Sequence, residues 1–545
     1  MKKQLIVLLM FMGIMGAKAQ MKADFKVVPL PNRIVENTKG SQAFPLGNVC
    51  TIVCPADQPQ MVRNAHFLAE YLKQQTELTI PVNAKLHKGD RYIKLALNKK
   101  ITAPEGYRIK VEPTLITIEG STPQGVFYGI QTLRKALPIA DAGQIEIPLV
   151  TIDDAPRFKY RGMHLDVGRH FFSIDFVKRY IDILALHNVN TFHWHLTEDQ
   201  GWRMEIKKYP RLTEIGAWRK GTVIGRNTGI YDHRRHGGFY TQEECREIVK
   251  YAQERYITVI PEIDMPGHMI AALAAYPELG CTGGPYEVER MWGVFDDILC
   301  AGKEETFKFA TDVLDEVMQV FPSEYIHIGG DEAPRTRWKA CPLCQKRIAD
   351  EGLRADGKHS AEDYLQSYFT KRIEQYVNSK GRKIIGWDEI LEGEIAPSAT
   401  IQSWREVKDG LRAAEQGHDV FFSPNSTLYF DFYQYPETNW SKPLLIGGCS
   451  TLEHVYAFEP CPENISEAAK NHIIGVQGNL WTEYIKDEEL AEYQVLPRMG
   501  AAMETGWTQP EKKNYSDFKN RQHRLFDIYR LYGWKYCTEA WRENK

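Results

Sequence analysis

From Pro156 onward the chain alternates short apolar runs with longer amphipathic stretches, and this rhythm limits the fold more than any other feature. Eight runs read as strands: Tyr160 to Leu165, Val189 to His195, Ile257 to Ile263, Tyr325 to Ile328, Lys383 to Trp387, Ala399 to Trp404, Asp419 to Phe422 and Ile473 to Gln477. Eight alternating units argue for a closed (β/α)8 barrel of the TIM type, with parallel strands ringed by helices. An open doubly wound sheet is the structural rival, and the missing glycine-rich dinucleotide fingerprint counts against it. Before Asp153 the pattern is mixed. Strand-like pieces at Tyr92 to Leu97, Tyr107 to Val111 and Leu115 to Ile118 are interleaved with helical spacing over Val62 to Lys73 and Gln124 to Leu137, which reads as a small α+β domain. The expected layout is a signal peptide at 1–19, the α+β domain at 20–152, the barrel at 153–510 and a C-terminal helical segment at 511–545.

A length of 545 residues calls for more than one domain. A net charge of -3 gives no basis for nucleic acid or an anionic membrane as partner. Met1 to Gln20 carries Lys2 and Lys3, an apolar run and Ala17-Lys18-Ala19, the pattern of a cleaved secretory signal ending near Ala19. No later run has the length of a spanning helix, so a periplasmic or extracellular chain without membrane insertion is expected. Ten cysteines permit disulfides in that setting. Cys341-Pro-Leu-Cys344 is a single C-x-x-C, without a second pair or nearby histidines to complete a zinc site, and reads as a local disulfide or free thiols. Cys281 and Cys300 bracket a glycine-rich loop and could staple it. No metal or cofactor is expected.

In a barrel of this type the chemistry gathers where the strands end. The residues just beyond the eight strands are Asp166 and Arg169; Glu198 and Asp199; Asp264 and His268; Asp331 and Glu332; Trp387; Trp404; Tyr429 with Asp431; and Trp481 with Glu483. Flat aromatic walls plus charged groups make a sugar pocket. Within it, Asp331 and Glu332 come after a strand and two glycines that allow a sharp turn. An ordinary glycosidase places two carboxyl groups about 5 to 10 Å apart across the scissile bond. Neighbours whose α-carbons are about 3.8 Å apart can hardly do so. A substrate can supply its own nucleophile, a 2-acetamido oxygen that attacks the anomeric carbon, leaving Asp331 to steady the amide and Glu332 to protonate the leaving oxygen.

Six segments in order, Leu165-Asp-Val-Gly-Arg-His-Phe171, Phe192-His-Trp-His-Leu-Thr-Glu-Asp-Gln-Gly-Trp202, Pro266-Gly-His268, His327-Ile-Gly-Gly-Asp-Glu332, Gly386-Trp-Asp-Glu389 and Leu480-Trp-Thr-Glu483, resemble glycoside hydrolase family 20, the β-N-acetylhexosaminidases. The resemblance implies exo-acting, retaining hydrolysis of terminal N-acetylglucosamine or N-acetylgalactosamine from glycans through an oxazolinium intermediate. It implies Glu332 as general acid/base and Asp331 as the carboxylate that orients the acetamido nitrogen and offsets positive charge. Tyr429 would bond the acetamido oxygen, Trp387, Trp404 and Trp481 would enclose the acetyl methyl and the sugar face, and Arg169, Asp431 and Glu483 would hold hydroxyls. His268 would link the acid to an outer carboxylate. The family usually has aspartate there, whereas this chain has Glu198, with Asp199 as the alternative.

Two other classes remain in view. His193 and His195 share one strand face and, with His268 and Asp331, suggest a metal-dependent hydrolase. A non-catalytic sugar-binding protein would use the same aromatic walls and tolerate loss of Glu332.

Overall fold

The computed structural model describes residues 21–37, 42–47, 50–85, 89–140, 145–393, 398–436 and 443–541. The signal-like stretch Met1 to Gln20 lies outside the described residues. Eight parallel strands close into a barrel. In chain order they are β1 (Tyr160–Asp166), β2 (Thr191–His195), β3 (Thr258–Glu262), β4 (Tyr325–His327), β5 (Lys383–Trp387), β6 (Thr400–Ser403), β7 (Val420–Phe422) and β8 (Ile473–Gly478). The barrel closes where β8 meets β1, with Tyr160 opposite Gly475 and Met163 opposite Gly478. These are the eight runs expected from the sequence. They lack a hydrophobic-polar alternation because helices cover the outside and side chains fill the inside, so β1, β2, β6 and β8 are buried at every position.

Several of the surrounding helices start where short polar side chains accept backbone N–H groups. Ser173 accepts from Phe176 ahead of the helix Ile174–Leu186. Capping boxes pair Thr241 with Glu244 and Ser360 with Asp363 at the starts of Gln242–Gln253 and Ala361–Ser379. At the amino-terminal end of the barrel Tyr160, Ile260, Ile385, Phe421 and Ile474 form an apolar plug, with the Tyr160 and Phe421 rings stacked 4.1 Å apart. Above this plug the interior turns polar, and the strand ends open upward.

The preceding α+β domain has a six-stranded mixed sheet, with the helices Pro59–Thr76 and Pro123–Ala136 packed together against it. Strand Tyr107–Val111 alternates buried and exposed positions, as a half-covered sheet should. Helical spacing over Gln124 to Leu137 implies one apolar face, yet every residue from Gly125 to Ala136 is buried. The reason is a second partner, because the helix is clamped between its own sheet and the barrel. Arg161 at the foot of β1 donates to Glu105 (2.7 Å) and to the Tyr128 hydroxyl (3.0 Å), and Lys135 donates to Asn188 (3.2 Å). The C-terminal helix Tyr515–Tyr532 secures the same seam. Its Arg521 makes a buried, two-pronged pair with Glu504 (2.6 and 2.7 Å) and donates to the Val27 carbonyl (2.8 Å). No helix of the described residues is long and apolar enough to cross a membrane.

Candidate active site

The carboxyl ends of the strands surround a cavity of about 410 Å³, a size suited to a small ligand. Nine of the eleven residues singled out from the sequence line it: Arg169, Asp331, Glu332, Trp387, Trp404, Tyr429, Asp431, Trp481 and Glu483. His268 and Glu198 stand directly behind the acid pair.

The β4 exit explains how two adjacent acids reach one cavity. Gly329 has φ +66°, and a Cβ there would lie 1.8 Å from Asp264 Oδ1, so only glycine lets the chain turn over that carboxylate. Glu332 and His268 also adopt left-handed backbone, with φ of 45° and 51°. For side chains of that size such conformations cost about 1–3 kcal/mol each, and the packed surroundings hold them. The result is that Asp331 is 8% exposed and its Oδ1 has no hydrogen-bond partner among the described residues. A buried acceptor of this kind calls for a ligand donor.

His268 joins the acids to the carboxylates behind. Its Nε2 lies 3.5 Å from Glu332 Oε2 and 3.6 Å from Asp331 Oδ2, and its Nδ1 lies 2.7 Å from Glu198 Oε1 and 3.1 Å from Asp199 Oδ2. The alternatives at the outer position are thus both engaged. Glu198's extra methylene lets its other oxygen reach Arg169 Nη2 (3.0 Å) and His195 Nε2 (3.1 Å). Asp199 instead accepts the Ile270 backbone N–H (3.0 Å), which fixes the His268 loop.

Charge is set by this packing. Burial opposes the His268 cation, but Glu198 and Asp199 outweigh it and hold the imidazole well above its usual range. The hydrogen bond from His268 holds Glu332 below the usual carboxylate range. Burial, joined by the charges of Glu262 and Glu332, pushes Asp331 up to about 6 despite His268. Burial likewise raises Asp431, with Glu483 adding to it, and neither Asp431 oxygen has a side-chain partner among the described residues. Arg169 has Asp166 and Glu198 beside it and the Trp481 ring 5.0 Å from its guanidinium carbon, and its buried Nε has no hydrogen-bond partner among the described residues.

The walls are positioned by hydrogen bonds on the polar edges of the rings. Trp387 Nε1 donates to Glu262 (2.8 Å) and Trp404 Nε1 to Glu389 (2.9 Å). Trp481 packs 5.6 Å from Trp387, and Tyr429 stacks on Trp404 at 6.0 Å. Asp166 accepts N–H groups from Gly168, Arg169 and Thr482, so the β1 loop with Arg169 and the β8 loop with Trp481 and Glu483 share one anchor.

His193 and His195 do not join His268 and Asp331, as a metal-dependent reading requires. Both turn inward to Glu262, with His327: His193 Nε2 lies 2.9 Å from Glu262 Oε2, His327 Nδ1 lies 3.1 Å from Oε1, and His195 Nδ1 makes a short contact to Oε2. The separation has a simple cause, since β2 points both imidazoles at the barrel axis while His268 and Asp331 sit on loops above it.

Two groups of residues escape the sequence reading. Trp292 and Asn227 reach the cavity from long loops, held by reciprocal bonds between the Asn227 side chain and the Trp292 backbone (2.7 and 3.0 Å), and no periodicity marks them. Asp264 is visible at the end of β3 but without a role. In the structure it accepts the Gly330 N–H (3.2 Å), and burial together with the Asp331 charge raises it well above the carboxylate range, which favours the protonated form beside Asp331. Asp264→Asn, which keeps the acceptor for Gly330 and stays neutral beside Asp331, should preserve kcat within about tenfold, whereas Asp264→Ala should lower it about 10–100-fold, as for loss of one buried hydrogen bond. Equal losses in steady-state assays of the two variants would remove Asp264 from this role.

The comparisons with known proteins agree with this geometry. Residues 158–510 match the model of "Glycosyl hydrolase family 20, catalytic domain", and residues 24–155 match that of the family's domain 2. A beta-hexosaminidase of Porphyromonas gingivalis is 43% identical over 503 residues, which is 91% of this chain and 62% of that protein. The chain therefore spans less than two thirds of that relative. One from Vibrio furnissii is 37% identical, over 89% of this chain and 77% of its own. Among solved structures, the GH20 beta-N-acetylhexosaminidase of Streptomyces coelicolor A3(2) superposes with a TM-score of 0.80 at 30% identity, covering 94% of this chain and 97% of that one. A mutant Streptomyces plicatus beta-hexosaminidase in complex with product GlcNAc gives 0.81 at 30% identity, covering 96% and 98%. Matches that span the whole barrel and the domain ahead of it mean that this chain belongs to glycosyl hydrolase family 20.

Proposed function

We propose that the protein is an exo-acting, retaining β-N-acetylhexosaminidase that uses the 2-acetamido group of its substrate as the nucleophile. The observation that carries this reading is the buried, unpartnered Asp331 Oδ1 beside Glu332 in a tryptophan-walled cavity of about 410 Å³. An acetamido N–H donating to Asp331 aligns the amide oxygen with the anomeric carbon and favours the Asp331 carboxylate. With the Glu332 side chain 39% exposed in the open site, a bound sugar removes its remaining solvent and favours its protonated form. Substrate binding thus moves the proton of the pair from Asp331 to Glu332, where protonation of the leaving oxygen needs it. The oxazolinium ring opens again when water, deprotonated by Glu332, attacks the anomeric carbon from the face the aglycone left and breaks its bond to the acetamido oxygen, which regenerates the acetamide and gives retention.

The related beta-hexosaminidases and the GlcNAc complex of the Streptomyces plicatus enzyme support a glycan with a terminal N-acetylhexosamine as substrate. The chain is also read as exported, on its first 20 residues. Purified protein should cleave an aryl β-N-acetylglucosaminide about 10³-fold faster or more than the matched aryl β-glucoside, the advantage of an internal nucleophile. A thiazoline mimic of the bicyclic intermediate should inhibit at least about 100-fold more tightly than the product sugar binds. NMR of the first-formed product should show the β-anomer. Equal rates on the two glycosides, or an inverted product, would refute the reading.

A further inference from the structure

The C-x-x-C that stands alone in the sequence does not stand alone in space. Cys281 and Cys300 come from the long loop after β3, Cys341 and Cys344 from the segment after β4, and all four Sγ atoms lie within 4.8 Å of one another. Cys281 and Cys344 are 3.8 Å apart, Cys300 and Cys341 3.8 Å, and Cys300 and Cys344 3.6 Å. Each of these pairs crosses between the two segments, so the sulfurs interleave and are not sorted into two local pairs. A tetrahedral thiolate site with metal–sulfur bonds of about 2.3 Å has sulfur–sulfur edges of about 3.8 Å, whereas a disulfide brings its sulfurs to about 2.0 Å. We propose that Cys281, Cys300, Cys341 and Cys344 form a structural Zn²⁺ site that clasps the loop bearing His268 to the loop bearing Glu332.

Features around the sulfurs fit a bound cation. Cys300 and Cys344 are fully buried, Cys341 is nearly so, and a pack of buried thiols has no apolar or hydrogen-bonding purpose that fewer cysteines would not serve. Cys341 precedes the helix Pro342–Asp350 and Cys344 lies in its first turn, where the positive end of the helix favours thiolate. The Gly302 N–H faces Cys300 Sγ. A Cβ on Gly302 would fall 2.3 Å from the Leu343 carbonyl carbon and 2.5 Å from the Cys344 nitrogen, so the two segments interlock through a glycine. Soft thiolates in a closed tetrahedron select Zn²⁺ over harder divalent ions.

The seam bears directly on the site. The Cys300 N–H bonds the Leu279 carbonyl (2.9 Å), and the adjacent Leu299 donates to Pro266 (3.0 Å), two residues before His268. Trp338, six residues after Glu332, donates to the Leu299 carbonyl (2.9 Å). A metal at the cysteines therefore fastens both ends of the His268–Glu332 contact without touching substrate.

Elemental analysis of the full chain, purified without added metal, should find about one zinc per molecule. Alkylation in denaturant with chelator and no reductant should label all four cysteines. Replacement by Co²⁺ should give the intense thiolate-to-metal and red visible bands of a four-coordinate sulfur site. The Cys341→Ser/Cys344→Ser variant should lose the zinc, and an organomercurial that displaces it from the wild type should lower Tm by several degrees. Two disulfides blocking alkylation, an iron centre in place of zinc, or four free thiols that stay metal-free after exposure to ZnCl₂ would each overturn the assignment. All four readouts on the wild type stand even if the variant fails to fold.

Discussion

Glu332→Gln should lower kcat for an N-acetylglucosaminyl disaccharide by about 10²–10⁴-fold, the usual contribution of a positioned acid. The departing sugar alkoxide is a poor leaving group and needs the proton. A 4-nitrophenyl leaving group does not, so its loss should be much smaller, and KM should change little because glutamine keeps the shape of the wall. The residual reaction carries a sharper signature in its pH dependence. With no acid to be protonated, it requires only the Asp331 carboxylate, which burial still raises but which no longer has the upward push of the Glu332 charge. Residual activity on the nitrophenyl substrate should therefore rise with pH as Asp331 ionises, with a midpoint below the wild-type value of about 6. Equal losses on both substrates, or wild-type rates on the disaccharide, would take the acid role away from Glu332.

Asp331→Asn should reduce kcat for N-acetylated substrates by about 10²–10³-fold, the scale of losing one preorganised electrostatic partner of a charged transition state. The side chain remains isosteric, but a neutral amide no longer offsets the positive oxazolinium. The wild-type pH profile should reflect the two acids as a pair. Glu332 is held low by His268 while Asp331 is raised by burial, with Glu262 and Glu332 adding to it, so the free pair holds one proton between those limits. On the proposed mechanism, productive binding requires that single proton, because Glu332 must donate it and Asp331 must not keep it. kcat/KM should accordingly fall as pH rises through about 6, when the pair loses the proton. It should fall again on the acid side, below the ordinary glutamate range, when the pair gains a second. In Asp331→Asn the alkaline limb should move to lower pH, since only the depressed Glu332 remains to hold a proton. A limb that stays near 6 in the variant would belong to another group and would sever the link between Asp331 and the profile.

Much of this architecture is legible in the chain itself, for reasons that can be named. Strand runs such as Lys383 to Trp387 and Ile473 to Gln477 are read from composition and length, and the βα repetition sets the barrel because few other arrangements bury eight such strands. The adjacency of Asp331 and Glu332 is covalent, so a substrate-borne nucleophile can be argued from the chain alone. The nine cavity residues are reached by reading the positions just past each strand, a rule of the fold that needs no distances.

Tertiary structure decided what spacing along the chain does not encode. The helix Pro123–Ala136 is buried on both faces because a second domain leans on it, and periodicity reports only the stronger face. Asp264 is raised above the carboxylate range by burial and by the Asp331 charge, neither of which is a property of β3 itself. Glu198 and Asp199, rivals for one position in sequence, share His268 because a side chain longer by one methylene leaves room for both. Cys344 meets Cys281 across 63 residues of sequence, a meeting set by how the loops after β3 and β4 fold over the barrel mouth. Local patterns specify elements because they depend on neighbours in the chain. Charge states and shared ligands depend on neighbours in space, and only the closed barrel supplies those.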